Sequence, residues 1–385
     1  MWLTRRLAPD FKTIADFRKD NGEAIRAVCR QFIEICRKLG LFAHAVAAID
    51  GSKFKAVNAR DKNYTKAKLE KRMAQVEASI ERYMGALETA DRQEGEIASG
   101  KSVRVKEKIA ALREQMKALQ AIEPVLLAAP DQQISLTDPD ARSMATSGRG
   151  SGVVGYNVQT AVDAKHHLIV AHEVTNVGND RAQLANMAGQ AKAAMGVEAL
   201  EAIADAGYFS GQEVKACEPL GVVPYVPKPQ TSPAKAKGQY GKQDFVYQAK
   251  DNTYRCPTGQ TLIQHGSSVE DGMRLLIYWT TACKDCPMKP RCTKGKERRI
   301  KRWEHEAVIE TMEKRLEQRP DAMRTRRSTV EHPFGTLKCW MGATHFQTRT
   351  LPKVKAEMSL HVLAYNLKRV IQILGPQPLM AAMRA

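Results

Sequence analysis

Four of the eight cysteines, Cys256, Cys283, Cys286 and Cys292, fall close together, while Cys29, Cys36, Cys217 and Cys339 are scattered. The Cys283-x-x-Cys286-Pro287 turn offers two thiolates from one knuckle, and with Cys256 and Cys292 it completes a tetrahedral set suited to structural zinc. Pro257 and Gly259 suit a tight turn at the first ligand. A catalytic zinc wants an open position and usually histidine, so the expected role is to staple a segment too small to fold alone. The scattered cysteines are expected to be ordinary, mostly buried thiols.

Two aspartates occupy matched settings. Asp50 follows the apolar run 45–49 and precedes Gly51-Ser52; Asp205 follows the run 199–204 and precedes Ala206-Gly207-Tyr208. Carboxylates at the ends of neighbouring strands can converge on divalent ions, and two-metal phosphoryl chemistry needs two or three of them. Taken singly, such an aspartate is more often a turn residue. A third acid, Glu331, lies between Arg327 and Lys338 at steps of four and seven, which set the three along one helical face. Alone this reads as a surface ladder of opposite charges. Beside a metal site, Glu331 becomes a carboxylate ligand flanked by groups that hold phosphates.

These side chains need rigid supports. Ile25, Val28, Phe32, Ile35 and Leu39 repeat at helical steps after Thr13-x-x-Asp16, which resembles a capping box. Residues 45–49 suit a buried strand with Asp50 at its end. Leu69, Met73, Val76, Ile80, Tyr83 and Leu87, then Val105, Ile109, Leu112, Met116 and Leu119, form two narrow stripes separated by a polar turn from Asp91 to Gly100. They predict an antiparallel helical hairpin closing on itself, with ordinary core packing or a partner-binding coiled coil as the two outlets for such stripes. Strands at 156–162 and 168–174 flanking a turn, a helix at 181–195, a strand at 199–204, a further helix and a last strand at 222–226 then follow, an α/β pattern around a mixed sheet. Residues 229–244 read as a linker, and the chain after 303 as helical, including an amphipathic segment from Val354 to Leu374.

The chain of 385 residues has 60 Lys+Arg against 42 Asp+Glu, a net charge of +18, which makes a polyanion the first partner to consider. The excess is uneven: residues 284–302 hold nine basic and two acidic residues, net +7. Beside a zinc knuckle such a run favours phosphate contact through Arg298, Arg299 and Arg302, without reading bases. No stretch is long and apolar enough for a membrane span, and the start, Met1 to Arg6, lacks a secretory signal, so a cytoplasmic location is expected.

Asp50-Gly51-Ser52-Lys53, Gly155-Tyr156-Asn157-Val158-Gln159, Ala204-Asp205-Ala206-Gly207-Tyr208 and Arg327-x3-Glu331-x6-Lys338 together resemble the DDE transposases of bacterial insertion sequences. The Cys-x-x-Cys-Pro insertion before the glutamate resembles one branch of them. The resemblance spans nearly the whole chain. It implies a ribonuclease-H-like core of strand order 3-2-1-4-5, with an inserted helical hairpin, a four-cysteine zinc-binding insertion and flanking helices. It implies that Asp50, Asp205 and Glu331 bind two Mg²⁺ ions, for which Mn²⁺ can substitute, and that Arg327 and Lys338 contact transposon-end phosphates. The family's Tyr-x2-Arg-x3-Glu-x6-Lys signature has Arg324 where the tyrosine belongs. Pro333, two residues after Glu331, should disturb a helix interior by about 3 kcal/mol unless it lies in the first turn.

The expected organisation is an N-terminal helical segment (1–43), the first core strand with Asp50 (44–60), the hairpin (61–130), the remaining core (131–230), the basic zinc insertion (231–302) and C-terminal helices with Glu331 (303–385). Such transposases carry a longer N-terminal helical region, of which residues 1–43 look like the tail. The expected activity is metal-dependent hydrolysis at transposon ends followed by attack of the freed 3′-OH on target DNA. The partners are double-stranded DNA and a second copy of the chain. The alternatives are a catalytically silent DNA-binding descendant of a transposase and a nuclease that never transfers strands.

Overall fold

Helices open the chain as the apolar spacing requires. The computed structural model describes residues 8–42, 44–59, 62–91, 96–145, 152–229 and 233–384; Met1 to Arg6 and part of the expected linker lie outside these. Helix α1 spans Phe11–Asp20 and α2 spans Gly22–Lys38. The cap of α1 is Asp10, whose carboxylate accepts from the Thr13 N–H at 2.7 Å. The expected Thr13–Asp16 box is therefore one turn late, because Thr13 supplies the donor and not the cap.

Strand β1 (Val46–Lys55) runs five residues past Asp50, correcting the expectation that the aspartate ends the strand. The extension is held by pairing, with residues from Asp50 opposite Thr160 to Lys55 opposite Gly155 continuously laddered. A short strand β2 (Asn63–Thr65) leads into α3 (Lys66–Asp91) and α4 (Glu96–Ala128), and β3 (Gln133–Ser135) returns beside β2. Leu69 and Val76 bury against Leu119 and Leu126, so the two stripes close on each other as expected of a hairpin. Of the expected polar turn, 92–95 lie outside the described residues and 96–100 belong to α4.

The main sheet adds β4 (Arg142–Ala145), β5 (Gly152–Asp163), β6 (Ile169–Thr175), β7 (Leu200–Ile203) and β8 (Val222–Tyr225), with helices α5 (Leu184–Met195) and α6 (Gly211–Ala216) between strands. Its order is β6-β5-β1-β7-β8, with β4 also pairing β5. The β6–β5–β1 pairs are antiparallel and the β1–β7–β8 pairs parallel. This is the ribonuclease-H-like order 3-2-1-4-5. Helices cover both faces, so β5 is buried along nearly its whole length. Ala47 and Ile49 face the cluster built with α2 and α5, whereas Ala48 and Phe54 face the opposite one. Strand alternation therefore aims Asp50 at the second face.

The expected basic zinc insertion, 231–302, contains more than a knuckle: residues 246–303 form a second, five-stranded antiparallel sheet. Its strands are β9 (Val246–Gln248), β10 (Thr253–Arg255), β11 (Thr261–Glu270), β12 (Met273–Trp279) and β13 (Ile300–Trp303), in sequential order. Phe245, Tyr254, Leu262, Tyr278 and Ile300 give it a small core of its own. Helices α7 (Glu306–Gln318), α8 (Ala322–Gly335), α9 (Leu351–Leu374) and α10 (Pro376–Ala382) end the chain. Helix α8 runs through the buried Pro333, well beyond its first turn, and then widens into a π-helical turn at Thr336–Trp340. Pro333 thus perturbs the helix, as expected of a missing N–H, but the response is this wider turn and not a break. Among the described residues no helix is long and apolar enough to cross a membrane.

Candidate active site

Asp50 and Asp205 meet across the β1–β7 junction, and a guanidinium joins them. Arg326 Nη2 lies 2.5 Å from Asp50 Oδ1 and 3.2 Å from Asp205 Oδ2. Asp205 also caps the turn after β7, accepting from Gly207 N at 2.8 Å, so it is both a turn residue and part of the cluster. Burial pushes Asp50 up to about 6, with Arg326 opposing and Asp205 and Asp180 adding to the rise. Arg326 comes from α8, which Phe334 and Val330 fasten to Phe54 and its neighbours on β1.

Behind Asp50, on the other face of the sheet, lies a polar network that sequence reasoning gave no role. Asp180 Oδ1 accepts from Asn157 Nδ2 at 2.7 Å and from Gln159 Nε2 at 2.6 Å, with Lys53 Nζ at 3.5 Å. The Tyr208 hydroxyl donates to Gln159 Oε1. Burial raises Tyr208 well above its ordinary value, and Asp180, Asp50 and Asp205 reinforce this. Asn157, Gln159 and Tyr208 stand in the quoted motifs, so the motifs held the signal without its meaning. Arg326 carried a clearer one. It falls on the stripe Ala322, Val330, Pro333 and Leu337, where an apolar residue is expected.

The third expected ligand is not drawn in. Glu331 is exposed on α8, and among the described residues it has no hydrogen-bonding or ionic partner. Arg327 and Arg324 are not engaged by the carboxylates either. Lys338, expected on the same face, is turned inward: its Nζ donates to Ser52 Oγ at 2.6 Å and to the Lys53 carbonyl at 3.0 Å. It also lies 4.5 Å from the Phe54 ring centre, and burial lowers its pKa. The π turn between Glu331 and Lys338 breaks the regular seven-residue step that would align them.

Cys256, Cys283, Cys286 and Cys292 line one cavity of about 30 Å³ beside β10 and β12. The Gln260 N–H points to Cys256 Sγ at 3.3 Å. Burial raises Cys292, with the other three thiols adding and Arg298 opposing. Even so, among the described residues no three His, Cys, Asp or Glu side chains stand close enough to hold an ion as they are. Of the scattered cysteines, Cys29, Cys36 and Cys217 are buried, as expected of mostly buried thiols, and Cys339 is exposed.

The basic run divides. Arg302 is buried, 3.7 Å from the Tyr247 ring centre and paired with Glu310, so it is not available to phosphate as expected. Arg298 is also committed inward, donating to the Cys292 and Tyr240 carbonyls at 3.3 and 3.4 Å. Both guanidinium groups lie over aromatic rings of the second sheet, Arg298 over Phe245 and Arg302 over Tyr247. Arg299 stays exposed over Trp279, and Lys284, Lys294 and Lys296 project from the same segment.

A family profile described as the transposase DDE domain matches residues 121–367, well over half of the chain. The match includes Asp205, Arg326 and Glu331 and begins after Asp50. Comparisons with curated proteins and with solved structures return no match.

Proposed function

The chain belongs to the DDE transposase family, and from that premise we propose that it cuts DNA at transposon ends and joins the freed 3′-OH to a target. The observation that carries this reading is the Asp50–Asp205 pair, two carboxylates from adjacent parallel strands sharing one cation, Arg326. A site that already holds a positive charge between two carboxylates fits a divalent ion, with Asp50 and Asp205 as ligands; Glu331, exposed on α8, would join them only on a turn of that helix. Bound there, Mg²⁺ supplies activation of water and neutralisation of charge on the transferring phosphate.

The chain's own groups do the rest. The Asp180 network fixes β1 and β5 behind Asp50, and Phe54 and Phe334 hold α8 over the carboxylates. Lys338 and Arg327 lie on or beside the helix that carries Glu331 and would hold the strand whose phosphate reacts. Lys284, Lys294, Lys296 and Arg299 on the second sheet give a sequence-independent phosphate contact. Zn²⁺ in the four-cysteine cavity would brace that sheet, the thiols closing on one ion; two ends cut together call for a dimer on DNA.

The test is nicking of a duplex carrying the element's terminal repeats with Mg²⁺ present. Wild type should nick and join; Asp50→Ala, Asp205→Ala and Glu331→Ala should each bind the duplex without nicking it. Retained nicking by Asp205→Ala would remove the mechanism. A second reading, a silent DNA-binding descendant, is favoured by one observation, Arg326 filling the gap between the aspartates while Glu331 points to solvent. In that case wild type itself binds ends without nicking them.

A further inference from the structure

We propose that Arg326 is a resident counter-cation of the carboxylate pair, one that competes with the divalent ion for the same space and so sets how tightly this protein takes up metal. The proposal rests on the reading of Asp50 and Asp205 as metal ligands.

The exclusion is geometric. A magnesium ion bound by both carboxylates sits about 2.0–2.1 Å from their oxygens, and manganese slightly farther. The Arg326 Nη2 already lies between them, 2.5 Å from one oxygen and 3.2 Å from the other. Two cations cannot occupy that gap together. The guanidinium is also built in and not a passing surface contact. Its side chain is 16% exposed, its Nε is buried with no partner, and it stands on the apolar stripe of α8 between Ala322 and Val330. An orphaned Nε is an imperfect fit for a purely structural pair, since a buried donor without an acceptor costs stability. It suits a side chain that also has a second position.

The arrangement has a reason in electrostatics. Asp50, Asp205 and the nearby Asp180 put three carboxylates around one strand, and the first is mostly buried. Without a cation the cluster repels itself, so a fixed guanidinium keeps it assembled until an ion enters. Entry then requires Arg326 to leave, and a departing guanidinium next to an incoming phosphodiester finds its natural second partner.

The experiment compares Mn²⁺ binding to the full chain, by calorimetry and by the electron spin resonance of free Mn²⁺, for wild type, Arg326→Gln and Arg326→Lys. Removing the competitor should tighten Mn²⁺ binding in Arg326→Gln by about tenfold or more, since bonds to charged groups are individually worth that much. Arg326→Lys, a compact ammonium unable to reach both oxygens as well, should fall between. In chelator, Arg326→Gln should melt below wild type, and Mn²⁺ should restore more of its melting temperature than of wild type's. Adding Asp50→Asn to Arg326→Gln should abolish the gain. Equal Mn²⁺ affinity in wild type and Arg326→Gln overturns the proposal while leaving nicking by wild type, and so the transposase reading, untouched. A gain that survives Asp50→Asn also overturns it, because the binding then lies elsewhere. Mn²⁺ binding by none of the three, with no nicking by wild type, sinks the metal site itself.

Discussion

Replacing Gly51 by alanine isolates the support behind the active-site strand. A Cβ at Gly51 would lie inside van der Waals contact of Gln159 Nε2, 2.7 Å from Asp180 Oδ1 and 3.0 Å from Asn157 Oδ1. Ordinary contacts are about 3.5 Å or more, so Gln159 and Asp180 must retreat by the better part of an ångström. They have little room, because Asn157 and Gln159 are fully buried in β5. The retreat breaks or stretches the 2.6 and 2.7 Å bonds to Asp180. Bonds to a charged group contribute about 1.5–3 kcal/mol each, and the Gly-to-Ala entropy gain of under about 1 kcal/mol offsets only part. Gly51→Ala should therefore destabilise by about 3 kcal/mol in urea unfolding and depress nicking. Gly85→Ala is the internal control. It lies on the exposed side of α3 with nothing within 4 Å of its would-be Cβ, and should stabilise by about 0.5–1 kcal/mol. A Gly51→Ala protein within about 1 kcal/mol of wild type would refute the packing argument.

Three further outcomes are expected. His172, beside Ser359 Oγ at 2.9 Å, is pushed down to about 4 by burial, with Glu173 opposing and Arg26 adding. The unfolded chain takes up this proton near pH 6.5 while the fold resists, so stability should fall from about pH 6.5 towards 4, by up to about 3 kcal/mol, and His172→Gln should flatten that slope in melting curves. Reversing Lys294, Lys296 and Arg299 to Glu should weaken binding to all DNA and flatten its salt dependence, whereas Arg302→Ala should cost about 2 kcal/mol of stability through its broken pair with Glu310, itself 40% exposed. Purified protein should carry one Zn²⁺ per chain, and Cys286→Ser should lose it; full zinc content in that variant would detach Cys286 from the cavity.

The elements legible in the sequence were those with one strong period. The α3–α4 stripes and the five core strands were each bounded by turns and carried apolar runs that leave few alternatives, so a hairpin and a mixed α/β sheet followed, while the order 3-2-1-4-5 came only with the family resemblance. The second sheet was not legible because β9 and β10 have three residues each and β11 buries mainly Leu262, too little alternation to register. The site divided the same way. Asp50 and Asp205 announced themselves as acids after apolar runs. Arg326 left a signal, its place on the stripe Ala322, Val330, Pro333 and Leu337, but a base beside Arg324 and Arg327 reads first as one more surface charge. Only the tertiary placement of α8 turns it inward, and only the π turn turns Lys338 away from the expected face.

The family match starts at residue 121, within α4 of the inserted hairpin and beyond Asp50. Lys55 at the end of β1 pairs directly with Gly155 near the start of β5, and a Cβ at Gly155 would collide with the Phe54 backbone, so these strands are locked at closest approach. The chain from Ala56 to the start of β4, which rejoins the sheet on the other side of β5, must leave the sheet and return to nearly the same place. The hairpin does so because β2 and β3 pair at its base, Asn63 opposite Ser135, and Leu69 packs with Leu126 just above. Closing a long excursion costs only slightly more than closing a short one, and here the paired base and the apolar seam offset that cost locally. The core therefore feels the insertion as a tight turn. Asp50 keeps its register with Thr160 and its aim at α8 whatever length of helix is carried outside, which is how a strand far upstream of its partners in sequence still delivers a carboxylate to within one guanidinium of Asp205.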